Sequence, residues 1–96
     1  GYPTWRNWHI SELGVVSSVS HTASALPVAF LLDSSDSGTG ANQDGRFDSI
    51  NFDGAWSSAY KLVGTKTTAN LNSEIGWYRS HANNKCQMRD GFWWIG

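Results

Sequence analysis

Apolar and polar residues alternate over much of this 96-residue chain with the two-residue period of β-strands. Trp8 and Ile10 share one face of a first predicted strand, residues 4 to 10, and Trp5, Asn7 and His9 share the other. Residues 11 to 24 admit two readings. Val15, Val19 and Ala23 fall four apart, as on a helix that Ser11 could cap, but Gly14, the Val pair and the Ser/Thr content favour a strand over residues 13 to 20. Ala25-Leu-Pro-Val-Ala-Phe-Leu-Leu32 is a continuous apolar run, and Pro27, which has no amide hydrogen, belongs at that strand's start or at an edge.

Residues 33 to 45 hold Asp, Ser, Gly, Thr and Asn in a stretch that predicts a long surface loop. A strand over residues 46 to 52 follows, and Asp53-Gly54 carries a turn signal. Residues 58 to 63 and 65 to 70 read as further strand material around Gly64. The last two dozen residues predict a hairpin. Ile75, Trp77 and Arg79 share one face of its first arm; Cys86, Met88, Asp90, Phe92 and Trp94 share one face of its second. His81-Ala-Asn-Asn-Lys85 supplies the turn between them. No internal repeat stands out. Strands about ten residues apart predict an all-β fold: a small antiparallel sandwich or barrel of six to eight short strands, in a single domain over residues 1–96. The opening Gly1-Tyr-Pro-Thr-Trp5 reads as the start of a fragment cut from a longer chain.

Composition narrows the classes. Charged residues are 16% of the chain against about 25% in average soluble domains. The formal charge is −1 and the seven Lys and Arg are scattered, so the concentrated basic face that nucleic acid needs is missing. The apolar runs are too short to span a bilayer, so no membrane insertion is expected. A lightly charged, Ser/Thr/Asn/Gly-rich chain suits extracellular or virion proteins and subunits packed on one another. Cys86 is the only cysteine, which rules out an internal disulfide and makes oligomerisation one route to stability.

Several side chains could carry chemistry. Asp33, Asp36, Asn42, Asp44 and Asp48 offer oxygens to a calcium ion, and Asn42-Gln-Asp-Gly-Arg-Phe-Asp48 resembles the core of a calcium loop; Gly40 and Asn51, however, stand where such a loop wants acids. The plainer reading of the stretch is a solvated turn with Asp-Gly at its corner. His9, His21 and His81 lack metal-ligand spacing. Cys86 lies five residues from His81 without a recognisable oxyanion loop or orienting partner, and Glu12 and Glu74 are the only glutamates. No cofactor and no catalytic residue follow from these patterns.

The aromatics are the stronger signal. Adjacent rings, Trp77-Tyr78 and Trp93-Trp94, point to opposite faces of a strand, so a one-sided sheet cannot hide both. The Trp-studded hairpin, the Asn-Asn and Asp-Gly turns and the ending Asp90-Gly-Phe-Trp-Trp-Ile-Gly96 resemble receptor-binding tip domains of phage tail fibres and tailspikes. That resemblance implies a homotrimeric β domain at a fibre's end, with a host-surface glycan or outer-membrane protein as ligand and a virion or extracellular location. The first expectation is therefore a non-enzymatic recognition domain that binds carbohydrate or a receptor through Trp77, Tyr78, Arg79, Trp93 and Trp94, with Asn83 and Asn84 at the hairpin tip. A second is a structural capping or assembly module of an oligomeric fibre. A third is a small hydrolase or toxin using His81 or His9 with an acid.

Overall fold

The computed structural model describes residues 4–34, 41–64, 71–83 and 85–95, with the backbone alone described at positions 4, 5, 41, 42, 71, 73, 93 and 94. Among them nine strands form and no helix: β1 Thr4–Arg6, β2 His9–Ser17, β3 Val28–Asp33, β4 Ala41–Gln43, β5 Arg46–Val63, β6 Leu71–Ser73, β7 Gly76–Tyr78, β8 His81–Ala82 and β9 Gln87–Ile95. The all-β expectation holds. The antiparallel pairing does not: β1, β4 and β6 are parallel neighbours, and β5 is flanked in parallel by β2 and β3 on one side and by β7, β8 and β9 on the other. The six-stranded sheet built around β5 is open, not closed into a barrel.

These pairings make the chain run three times over one course. The first coil is β1–β2–β3, the second β4–β5 and the third β6 to β9. Thr4 lies beside Ala41 and Ala41 beside Leu71; Phe30 lies beside Tyr60 and Tyr60 beside Phe92. The chain is thus a short parallel solenoid, in which the strands of each repeat pair only with those of its neighbours. A repeat exists after all. It hid because the first step, Thr4 to Ala41, is 37 residues and the second, Ala41 to Leu71, is 30.

Corners show the repeat most plainly. Left-handed backbone occurs at Asn7, Asp44 and Glu74 (φ 54°, 53° and 55°), each one residue past the β1–β4–β6 face. It recurs at Glu12, Ser49 and Arg79 (φ 53°, 59° and 53°), each one residue past the aligned positions Ser11, Asp48 and Tyr78. Non-glycine residues seldom take this conformation, so three at each of two equivalent corners mark bends imposed by the coil.

The predicted hairpin over residues 73 to 96 is overturned in the same way. Its two arms each pair with β5 and not with one another. Asp53-Gly54 does not end a strand either: β5 continues through it. On a straight strand Phe47 and Tyr60 would lie roughly 43 Å apart, yet their ring centroids are 4.7 Å apart. The two halves of β5 therefore face each other, and the chain bends between them. Gly54 permits the bend, with φ 89° and with Ser17 O only 2.1 Å from where a Cβ would stand. The predicted strand over residues 4 to 10 is broken at the Asn7 corner into β1 and β2. Strand β2 continues into the ambiguous stretch of 11 to 24 and ends at Ser17, short of the expected 20. β4 forms inside the predicted 33–45 loop, residues 65–70 lie outside the described residues, and Pro27 precedes β3 as expected, its carbonyl accepting from Ser57 N at 2.8 Å.

Burial follows position in the stack. Phe47, Ile50, Phe52, Ala55, Trp56, Ala59, Tyr60 and Leu62 form the buried apolar core, and all belong to β5, the strand covered on both sides. Inward residues of the outer coils, such as Ile10, Val15, Phe30, Leu32 and Trp77, are half-buried against it. Phe30, Tyr60 and Phe92 form a continuous ring ladder, with centroids 5.5 and 5.2 Å apart and planes within 19° of parallel. At the corner after β3, the Asn72 side-chain amide donates to Leu32 O (3.3 Å) and Val63 O (3.1 Å), while its oxygen accepts from Ser34 Oγ (3.2 Å), tying all three coils together.

Candidate functional site

On β5, Arg46 and Asp48 point away from Phe47, because alternate residues face opposite sides. Parallel register sets His9 beside Arg46, and Ser11 and Tyr78 on either side of Asp48. One outward strip thus collects side chains from all three coils. Arg46 Nε donates to His9 Nε2 at 3.4 Å, its Nη2 lies 3.9 Å from Asp48 Oδ2, and its Cζ sits 5.5 Å from the centre of the Tyr78 ring, a cation–π arrangement. Asp48 Oδ1 accepts from Arg79 Nε (2.9 Å), Arg79 Nη2 (2.6 Å) and Ser49 Oγ (3.0 Å).

The Asp48 carboxyl is held below its ordinary value of 3.8, chiefly by the Arg79 hydrogen bonds; burial opposes this, and Ser49 and the charges of Arg79 and Arg46 assist. Asp48 is 8% exposed, whereas Tyr78 is 52% exposed and the Arg79 side chain 75%. The strip therefore offers one flat ring, two guanidinium groups in solvent and a carboxylate fixed between them. Two cations against one anion leave the strip net positive. It can stack on a flat apolar face and donate several hydrogen bonds, and it contains no group poised to attack a substrate.

The residues expected to bind ligand separate here. Tyr78 and Arg79 lie in the strip. Trp77 is half-buried, 6.4 Å from Phe47 in a stacked pair and 5.0 Å edge-on from Phe92, so it serves the core. Asn83 is exposed; its backbone N–H donates to Phe52 O (3.1 Å) and its side-chain Oδ1 accepts from Lys85 N (2.9 Å). Asn84 lies outside the described residues. Trp93 and Trp94 are placed by their backbone in β9, beside Lys61 and Leu62. Arg46 carried no expected role and His9 only a catalytic one; the coil register alone links them to Tyr78.

The calcium loop is not assembled among the described residues, where no three His, Cys, Asp or Glu gather to hold a metal. Asp33 ends β3, Asp44 occupies the first corner and Asp48 is committed to Arg79; Asn42 lies in β4, and Asp36 is outside the described residues. Asp44 instead pairs with Glu74 one coil on. The Glu74 carboxyl is raised above its ordinary 4.5, first by the side-chain hydrogen bond with Asp44 and then by its charge. Cys86 packs against the core, and burial followed by the Asp53 charge pushes its thiol up, which opposes a nucleophilic thiolate. His81 is exposed in β8.

No helix among the described residues is long and apolar enough to cross a membrane, which leaves β-barrel insertion unaddressed. No protein-family model, no curated protein and no solved structure matches the chain.

Proposed function

We propose that this chain is a non-enzymatic recognition module that binds cell-surface carbohydrate, or a receptor bearing it, through the outward strip of His9, Arg46, Asp48, Tyr78 and Arg79. The observation that carries this reading is the exposed Tyr78 ring with Arg46 against one side and the clamped Asp48–Arg79 pair beside it. A sugar presents a flat C–H face ringed by hydroxyls, so one ring and fixed polar groups at its edge suit it. Exposed guanidinium groups add donors that hold their charge at any physiological pH. A place at the distal end of a viral or extracellular fibre follows from the sequence resemblance, and a surface poor in charge agrees with it. A glycan array tests the reading: Tyr78→Ala is expected to weaken binding about tenfold, equivalent to about 1.4 kcal/mol. Binding unchanged in Tyr78→Ala, or no binding to any glycan, contradicts it.

A second reading, a structural module of a larger assembly, is favoured by a separate observation. Both outer coils keep apolar residues exposed at the ends of the stack, Leu13 on the first and Phe92 on the third. Unpaired strand edges with apolar neighbours invite further pairing.

A further inference from the structure

The first coil leaves a hollow of about 520 Å³ among Trp8, Ile10, Phe30, Leu32 and Phe47. The third leaves a smaller one, about 160 Å³, bordered by Tyr60, Ser80, Ala82 and Phe92. Among the described residues, nothing covers the faces of the first and third coils that turn away from the middle one, where Leu13 and Phe92 are exposed. We propose that the first coil of one copy stacks in parallel register on the third coil of another, joining copies head to tail. This rests on the assembly reading above and shares only Arg79 with the sugar-binding strip.

Two features select that orientation. The second corner runs Glu12, Ser49, Arg79 from first coil to third. Continuing the register by one coil therefore places Arg79 of one copy beside Glu12 of the next, two exposed groups of opposite charge. At the first corner it places Glu74 beside Asn7 and near Arg6. Joining like ends instead relates the copies by a two-fold axis, which loses both the parallel register and the Arg79–Glu12 pairing. The second feature is the ring ladder. Phe92 lies on Tyr60 as Tyr60 lies on Phe30, so Phe92 of one copy meets Phe30 of the next at the spacing the ladder already has. Ser80 meets Leu13, which is 41% exposed and occupies the inward position of Ile50. Stacking unlike ends in register moves each copy along the coil axis and does not turn it back on the first, so the product is an open stack that lengthens with concentration.

Light scattering on the 96-residue chain over a concentration series, with circular dichroism to verify folding, tests the stack. The wild type is expected to grow without a fixed upper size. Glu12→Arg should raise the concentration needed for association at least tenfold, and so should Arg79→Glu. A mixture of E12R and R79E should assemble where neither does alone, because each supplies the corner the other lacks. Leu13→Lys, at a position already partly in solvent, should stay folded and fail to stack. A monomer at every concentration, a closed trimer of fixed size, or growth unaffected by E12R and not rescued in the mixture would overturn the proposal.

Discussion

Phe47 is the residue that the packing depends on most. It is 1% exposed and meets Phe30, Tyr60, Trp8 and Trp77 within 6.4 Å. Phe47→Ala should cost about 3–5 kcal/mol in chemical denaturation, as expected for a large ring removed from a closed core. Gly54→Ala should cost at least about 2 kcal/mol, because an alanine there combines positive φ with a clash against the Ser17 carbonyl. Asn72→Ala should cost about 1–3 kcal/mol by removing its hydrogen bonds to the Leu32 and Val63 carbonyls and to Ser34 Oγ, although Val63 O still accepts from Ser34 N. Few of these roles are visible in the residues themselves. Asp48 looked like a calcium ligand until Arg79, thirty-one positions away, proved to be its partner, and Tyr78 was singled out for its ring alone.

At the scale of strands and corners, alternation told which residues share a face. Ile75, Trp77, Cys86 and Met88 pack on the core, Trp77 against the expectation that it binds ligand, while Arg79 of the same predicted face turns to solvent. It could not tell which strands meet, since a half-buried strand reads the same beside a parallel or an antiparallel neighbour. Two turn signals misled for that reason: Asp53-Gly54 bends a continuing strand, and His81 and Ala82 form β8, which pairs with β5 as β7 and β9 do. The repeat was hidden by unequal steps and by ladders of unlike residues, such as Leu13, Ile50 and Ser80. Corner chemistry makes the pH response distinctive. Glu74 has a raised folded pKa, so its stabilising contribution is complete below 4.5 and is lost as pH rises through the raised value. Asp48 has a lowered one, so its contribution is present above 3.8 and is lost as pH falls through the lowered value. Thermal melts from about pH 3 to pH 8 should show both slopes, and Glu74→Gln should remove only the upper one.

For the whole molecule, burial is set by layer: the middle coil forms the core, and each outer coil lends one face to it and leaves the other open. The same stacking creates the outward strip, because only a parallel register brings His9, Arg46 and Tyr78 together. The most direct test of that register is a set of through-space proton contacts measured by nuclear magnetic resonance. The account expects Tyr60 ring protons to contact both Phe30 and Phe92, with Trp77 contacting Phe47. Contacts running between residues 75–80 and 87–92 as hairpin partners, with none between Phe30 and Tyr60, would contradict it.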